Sequence, residues 1–215
     1  ADDFVELAED AEYDTVALKY ARKALQIDPD HLDARRLLIQ KSRKPGYEKI
    51  AMYEEALERG KEIMENIGYG DEESIGNYWI IAQTRPYMRL WSGYIHTMME
   101  CGMMHKAADA CEEVIRLNKG DNMGFRYQLM HIYAFLEDEE KALNLLSKYN
   151  EYDETMMIMP LSILYFKKYD LDKAAEYLRR VMKINKDTRR FIRSMVDDSI
   201  KGYYDKVSSF GYQPN

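Results

Sequence analysis

The sequence has few of the residues that interrupt helices or that stabilise small secreted domains. Its 215 residues include 5 prolines and 11 glycines, a low content that favours long helices joined by short turns. Its two cysteines, Cys101 and Cys111, are too few for a disulfide scaffold. Both fall on apolar faces of predicted helices, where a free thiol packs as a small hydrophobic group. We therefore expect a reducing compartment and a cytoplasmic location.

Long apolar runs and an excess of basic residues are also missing. No stretch of about 18 residues is apolar enough to span a bilayer, and no basic segment followed by an apolar run opens the chain. The formal net charge is −7, with charges of both signs interleaved instead of gathered into the basic stripe that nucleic-acid binding needs. We expect no membrane and no nucleic-acid partner, and a basic peptide or protein is the better match in charge.

The motifs of common catalytic and metal sites are absent as well. The sequence contains no HExxH, no Walker A loop, no GxGxxG and no GxSxG. Cys101 and His105 flank a predicted turn without further ligands nearby, so they do not form the cluster that a metal ion needs. We predict no enzymatic activity, no metal site and no cofactor.

Apolar residues recur at the three- and four-residue spacing of amphipathic helices. This spacing gives one apolar face between Thr15 and Ile27, and Pro29 ends that helix because proline disfavours helical backbone at the residue before it. Thr84 is predicted to cap a further helix, with Pro86 in its first turn. The predicted helices span about 15–27, 31–41, 47–66, 71–83, 85–101, 104–117, 122–136, 138–148, 155–168, 171–184 and 187–206.

The later helices form a repeat. Ala107, Ala142 and Ala174 stand in the second helix of three successive pairs, 35 and 32 residues apart. A small residue there lets the two helices of a hairpin approach closely, and an apolar residue follows four positions later in each copy. Because one hairpin cannot bury its apolar face alone, such units must stack on one another.

At these positions the chain resembles the tetratricopeptide-repeat family. Leu161, Ser162 and Tyr165 precede Ala174 at the spacing of the family, and an earlier, degenerate copy carries Ala17, Ala21, Ala24 and the closing Pro29. A narrower resemblance covers residues 84–89, 117–118 and 121–127. There the chain is similar to a subgroup that includes uncharacterised bacterial proteins and the suppression-of-tumorigenicity-7-like proteins, for which no chemistry is implied.

The family resemblance implies an all-α fold in which antiparallel helix hairpins stack into a right-handed superhelix. One domain would span residues 1–207, with a frayed tail at 208–215. Its expected parts are a degenerate repeat at 3–41, irregular long helices at 47–83, the clearest repeats at 85–184 and a capping helix at 187–206.

The resemblance also implies where a partner would bind. In this family the first helices of the hairpins line a concave groove that holds a peptide or protein segment, and we expect an interaction module of this kind. The alternatives are a sensor of small ligands or signal peptides, and a self-assembling unit that forms a homodimer. The implied groove residues are Arg89, Ser92, His96, Met99, Tyr127, His131 and Phe135.

Each polar feature of this region has a structural interpretation, which we favour, and a functional alternative. His96 and His131 lie 35 residues apart at equivalent positions, either as helix histidines with local hydrogen bonds or as paired imidazoles for an acidic or aromatic ligand. A second set of residues either fixes the angle between repeats, with a helix cap at its centre, or receives a carboxylate or phosphate. That set is Arg85, Tyr87, Asp121, Asn122 and Arg126, with Arg89 shared between it and the groove.

Overall fold

The structure is a computed structural model that describes residues 1–149 and 153–196. Its regular elements in these ranges are α-helices and one 3-10 turn, Ala82–Thr84, with no β-strand. The helices are α1 (Asp2–Glu9), α2 (Asp14–Ile27), α3 (Leu32–Lys41), α4 (Gly46–Asn66), α5 (Arg85–Glu100), α6 (Met104–Leu117), α7 (Phe125–Leu136), α8 (Glu139–Lys148), α9 (Thr155–Lys167), α10 (Leu171–Ile184) and α11 (Thr188–Val196).

The chain divides into two compact units, with the boundary inside α7. The first unit is Ala1–Ile132, and the second begins at Tyr133. The single domain over residues 1–207 stays a prediction. The end of the predicted capping helix, 197–206, and the predicted tail at 208–215 lie outside the described residues.

In the first unit, three hairpins follow one another along the chain. Helices α1 and α2 pack together, as do α3 and α4, and α5 and α6. The sequence reading missed α1, a helix of 8 residues, although its Val5 and Ala8 are buried against Ala21 and Ala24 of α2. The degenerate copy around Ala17 is therefore the second helix of a hairpin, and α3 begins the next one.

Helix α4 completes that second hairpin, so residues 47–66 are a regular part of the stack. Its close-packing position is Gly60, where an added Cβ would lie 2.6 Å from the ring of Tyr87 on α5. Glycine here does what alanine does in the later repeats, because it lets two helix backbones approach each other.

The helix predicted over residues 71–83 is wrong. The Asp71 carboxylate accepts a hydrogen bond from the backbone of Ser74 at 2.7 Å, which closes a turn, and Gly76 has a φ of +105°, outside the helical region. The backbone amides of Gly76 and Tyr78 both donate to the carbonyl of Leu117 at 3.0 Å. Residues 67–84 therefore form a loop that ends in the 3-10 turn Ala82–Thr84. Internal turns and hydrogen bonds to the end of α6 hold it in place.

Thr84 ends this loop, but its side chain does not cap α5 as predicted. Its hydroxyl donates back to the carbonyl oxygens of Tyr78 and Ile81, the latter at 2.9 Å, and the residue is fully buried. Pro86 lies in the first turn of α5, as its missing N–H allows. The threonine thus closes the loop, and the helix begins without a side-chain cap.

Helix α7 begins at Phe125, three residues later than predicted. Asp121 has a φ of +44° and Gly124 a φ of +72°, so the chain turns before it enters the helix. The Asp121 carboxylate accepts hydrogen bonds from the backbone amides of Phe125 at 2.7 Å and Arg126 at 3.1 Å. It therefore caps the helix from a buried position, 3% exposed.

The second unit contains the last repeats and one helix beyond them. Ala142 of α8 and Ala174 of α10 are buried, as their place in the repeat requires. Tyr165 of α9 stacks on Tyr177 of α10 with ring centroids 5.4 Å apart, and its hydroxyl donates to Glu139 at 2.8 Å. The hydrogen bonds from Lys168 and Tyr165 to Glu139 lower the pKa of that carboxyl group to about 2.

The two cysteines differ in their surroundings. Cys111 is fully buried, and burial raises the pKa of its thiol to about 12, so it packs as a hydrophobic group as predicted. Cys101 is exposed at the end of α5, so its predicted burial is wrong. Among the described residues, no helix has the length and apolar character needed to cross a membrane.

The repeated alanines give a test of the packing. Replacing fully buried Ala107 with leucine should force extra atoms between α5 and α6 and lower the free energy of unfolding by about 1–3 kcal/mol. Chemical denaturation measures the change. Ala51→Leu is the matched control, because Ala51 is exposed on α4 and should tolerate the same side chain. Equal losses in both variants would contradict this account of the repeat.

Candidate functional site

A polar cavity of about 530 Å³ lies in the first unit, between helices α3, α4 and α5. Helical spacing explains its walls, because residues four apart share one face of a helix. Arg36 and Gln40 on α3 have this spacing, as do Lys49 and Tyr53 on α4. The complete lining is Arg36, Gln40, Lys49, Tyr53, Arg89, Ser92, Gly93, His96, Thr97, Glu100 and Met123.

A buried carboxylate binds two of the cationic side chains that line the cavity. Asp33, on α3 one turn before Arg36, is 5% exposed. The Nε of Arg89 donates to its Oδ1 at 2.7 Å, and the Nη2 of Arg89 binds its Oδ2. Arg36 donates to the same Oδ1 at 3.2 Å and reaches Glu9 with its Nη2. One carboxylate therefore joins α3 to α5, and it holds both guanidinium groups in place beside the cavity.

The protonation of Asp33 reflects two opposing effects. Burial alone would raise the pKa of its carboxyl group, since burial penalises the charged form. The hydrogen bonds and positive charges of Arg89 and Arg36 outweigh burial and hold that pKa below its ordinary value. Asp33 thus stays ionised, and it also favours the charged form of Arg89, whose pKa is raised.

His96 makes the local hydrogen bond that we favoured from the sequence. Its Nδ1 donates to the backbone carbonyl of Ser92 at 2.7 Å, one turn earlier in α5. Its Nε2 lies 3.4 Å from the side-chain amide nitrogen of Gln128 on α7. Across the cavity, the Nζ of Lys49 donates to the carbonyl of Gln40 at 3.1 Å. Both side chains therefore present polar atoms on opposite walls.

The back of the cavity depends on a close contact between α4 and α5. Tyr53 is 1% exposed and lies against Gly93, where an added Cβ would be 2.4 Å from the phenol oxygen. Any larger residue at Gly93 would push Tyr53 away. Burial raises the pKa of Tyr53 to about 12, so its hydroxyl stays neutral.

The groove residues predicted from the sequence are only partly brought together. Arg89, Ser92 and His96 line the cavity, whereas Met99 is half-buried outside it. The remaining three are on α7. Tyr127 packs under the guanidinium group of Arg126, whose central carbon is 4.2 Å from the ring centroid.

The two later members of that predicted groove have different surroundings. His131 is exposed, and partial desolvation lowers the pKa of its imidazole. Phe135 belongs to the second unit, where it is 61% exposed and the Nζ of Lys167 lies 5.6 Å from its ring centroid.

The predicted polar network separates into unrelated contacts. Asp121 pairs with Arg126, Oδ2 to Nη1, at 3.0 Å. The Nε of Arg85 instead donates to the carbonyl of Trp79 at 2.9 Å, and the Arg89 side chain pairs with Asp33. Asn122 is exposed. Tyr87 is buried beside Tyr78 and Trp91, where it forms part of an aromatic cluster.

The sequence reading missed the walls contributed by α3 and α4. Lys49 and Tyr53 fall in residues 47–83, which the sequence predicts as irregular, and Arg36 and Gln40 fall in the copy at 3–41, which it predicts as degenerate. The signal was present in the spacing, since each pair repeats at four residues and Asp33 precedes Arg36 by three. Only the pairing of α3 with α4 shows that these faces meet.

Comparisons with known proteins address the fold. Two crystal structures of MamA resemble the chain, one with a TM-score of 0.53 at 16% identity over 82% of this chain and 91% of that one. The other has a TM-score of 0.54 at 14% identity over 87% and 93% of the two chains. The structure of YrrB, described as a TPR protein with an unusual peptide-binding site, has a TM-score of 0.48 at 20% identity over 80% and 77%.

No protein-family model matches the chain, and no curated protein is similar to it at a significant level. The hairpins and their repeated alanines, together with the likeness to MamA, show an all-α fold of stacked helix hairpins of the tetratricopeptide kind. The resemblance to the suppression-of-tumorigenicity-7-like subgroup stays a prediction.

Asp33 gives a test that depends on pH. Asp33→Asn leaves both arginines without their buried anion and should lower the free energy of unfolding at neutral pH by roughly 2 kcal/mol, less than a fully buried pair because Arg89 reaches solvent. The pKa of Asp33 is lower in the folded protein, so its contribution is present above the ordinary value of 3.8. It is lost as pH falls through the lowered folded value, and the two proteins should converge there.

Urea unfolding measured across this pH range provides the comparison. Asp30→Asn is the control, since Asp30 pairs with Arg59 at 2.6 Å in an exposed position where ion pairs stabilise little. A difference between Asp33→Asn and the native protein that persists unchanged in acid would contradict the assignment of charge to Asp33.

Proposed function

We propose that this protein is an interaction module that binds an acidic peptide segment of another protein in the cavity between α3, α4 and α5. The observation that carries this proposal is the convergence of three cations, Arg36, Lys49 and Arg89, on one cavity whose lining includes a single carboxylate, Glu100, among the described residues. The cavity is open to solvent and has the size of a site for a few side chains. It lies beside the first helices of the hairpins, where the family resemblance places a bound peptide.

Arg89 and Lys49 retain donors for a ligand, whereas the three guanidinium nitrogens of Arg36 already bind Asp33, Gln40 and Glu9. Asp33 accepts hydrogen bonds from the Nε and Nη2 of Arg89. Among the described residues, the Nη1 of Arg89 donates no hydrogen bond. Within residues 1–149 and 153–196 the ammonium group of Lys49 makes one hydrogen bond, to a carbonyl oxygen, and such a group has three donors. A carboxylate entering the cavity would meet N–H groups from two walls whose positions are already fixed, which lowers the entropic cost of binding.

The arrangement of Ser92 and His96 favours binding over catalysis. A serine next to a histidine could in principle act as a nucleophile and its general base. Here the imidazole Nδ1 is engaged by the carbonyl oxygen of Ser92, and no hydrogen bond to the Ser92 hydroxyl forms among the described residues. Activation of a serine needs its hydroxyl to donate to a base, so we assign both residues to ligand contact.

Selection from a random peptide library on the immobilised protein tests the proposal. The selected peptides should be enriched in Asp and Glu relative to the starting library. Lys49→Glu should weaken their binding about tenfold or more, because it replaces an attraction with a repulsion at one cavity wall, and binding should weaken with added salt. Fluorescence anisotropy of labelled peptides gives the affinities.

Lys19→Glu is the matched control. Lys19 is exposed on α2 and does not line the cavity, so the variant changes net charge equally without touching the proposed site. Selected peptides without acidic enrichment, or peptides that bind Lys49→Glu as well as they bind the native protein, would overturn the proposal.

A further inference from the structure

A second cavity, of about 430 Å³, lies against a different face of α5. Tyr87, Trp91 and Tyr94 line it, at the spacing of one helix face. These residues are offset by two positions from Arg89, Gly93 and His96 of the first cavity. Two residues correspond to about 200° around a helix, so the two cavities open on opposite sides of α5.

Three helix faces converge at this second cavity. Helix α4 contributes Glu54, Leu57, Glu58 and Lys61 at three- and four-residue spacing, and α6 contributes Glu113 and Arg116. The cavity shares no lining residue with the first one. It is therefore a separate feature of the first unit, and the proposed acidic peptide does not explain it.

The floor of the cavity is a packed aromatic cluster. The ring of Trp91 meets Tyr87 and Tyr94 edge-on, with centroids 6.2 and 5.9 Å away. Both tyrosines are buried, which raises the pKa of each to about 12 and keeps them neutral, whereas Trp91 is only half-buried. An indole ring that two edge contacts hold in place presents a π surface of fixed orientation, the feature that attracts a cation.

Most of the charged side chains around this floor pair with one another, and the pairs show which carboxylate remains available. The Nε and Nη2 of Arg116 donate to the two carboxylate oxygens of Glu113, each at 2.7 Å. The charges of these two side chains therefore neutralise each other. Glu54 accepts a hydrogen bond from the Tyr94 hydroxyl at 2.9 Å, which fixes its carboxylate at the cavity.

Glu58 is the carboxylate that the rest of the unit leaves available. No hydrogen bond or ion pair of Glu58 forms within the part of the chain that the structure describes, although its charge is close enough to contribute to the raised pKa of Tyr87. Glu54, by contrast, lies 4.0 Å from the Nζ of Lys106, so Glu54 and Glu58 lie near two cations, Lys61 and Lys106, and Glu58 is the carboxylate left for a ligand.

We propose that this cavity binds a cationic side chain, Lys or Arg, of a basic protein segment, seated over Trp91 between Glu54 and Glu58. Aromatic surface attracts the cation, and the carboxylate of Glu58 neutralises its charge. A basic partner also matches the net charge of the chain, −7. The two cavities would then bind segments of opposite charge on opposite sides of one helix.

Nuclear magnetic resonance of the two indole N–H groups tests this assignment. The probe is a short peptide of alternating Lys and Gly, compared with the same peptide carrying Gln in place of Lys. The Lys peptide should shift the Trp91 resonance saturably and leave Trp79, which lies outside the cavity beneath Arg85, unchanged. Trp91→Phe assigns the resonance.

Glu58→Gln should weaken the Lys peptide about tenfold, because it removes the available charge while keeping the shape of the side chain. Glu55→Gln is the control, with the same loss of charge three residues away, at an exposed position outside the cavity. An equal effect of both variants would show attraction to the net charge alone and overturn the assignment.

Two further outcomes would also overturn it. One is an equal Trp91 shift from the Gln peptide, and the other is the absence of any Trp91 shift. The result does not depend on the acidic-peptide experiment, since the probes carry opposite charge and the variants lie in different cavities.

Discussion

The first unit depends on one buried carboxylate. Asp33 lies between Arg36 of its own helix and Arg89 of α5, which is 56 residues later in the chain. An ionised group in this position is stable only while both guanidinium groups remain bound to it, because a buried charge without partners is costly. The position of α3 against α5 is therefore tied to the charge state of one side chain. The same contact fixes the walls of the cavity to which we assign peptide binding.

Much of the fold could be predicted from the sequence because the repeat is periodic. The spacing of Ala107, Ala142 and Ala174 predicts six helices to within three residues of their observed ends, since a small residue recurs where the two helices of each pair approach. The errors fall where other contacts override local preference. The acidic start at Asp71 suits a helix, but its carboxylate closes a turn, and hydrogen bonds to the end of α6 hold the loop that follows.

The candidate site was less predictable because its parts are distant in sequence. The family resemblance implied Arg89, Ser92 and His96 as groove residues, and all three lie on α5. The opposite wall, with Arg36 and Lys49, comes from α3 and α4. Periodicity indicates which face of each helix is polar, but it does not indicate which two polar faces oppose each other. To predict that pairing, one must know that α4 forms a hairpin with α3. One must also know that Gly93, which lacks a Cβ, leaves room for the ring of Tyr53.

The loop at 67–84 has a consequence for the way the unit forms. In a simple array each hairpin contacts only its neighbours, so repeats can order one after another from either end. Here the amides of Gly76 and Tyr78 find their acceptor only when the chain around Leu117 is in place, and Lys119 donates back to Gly76. Closing that long segment costs conformational entropy before it yields any contact. We therefore expect helices α4, α5 and α6 to order together instead of one hairpin at a time.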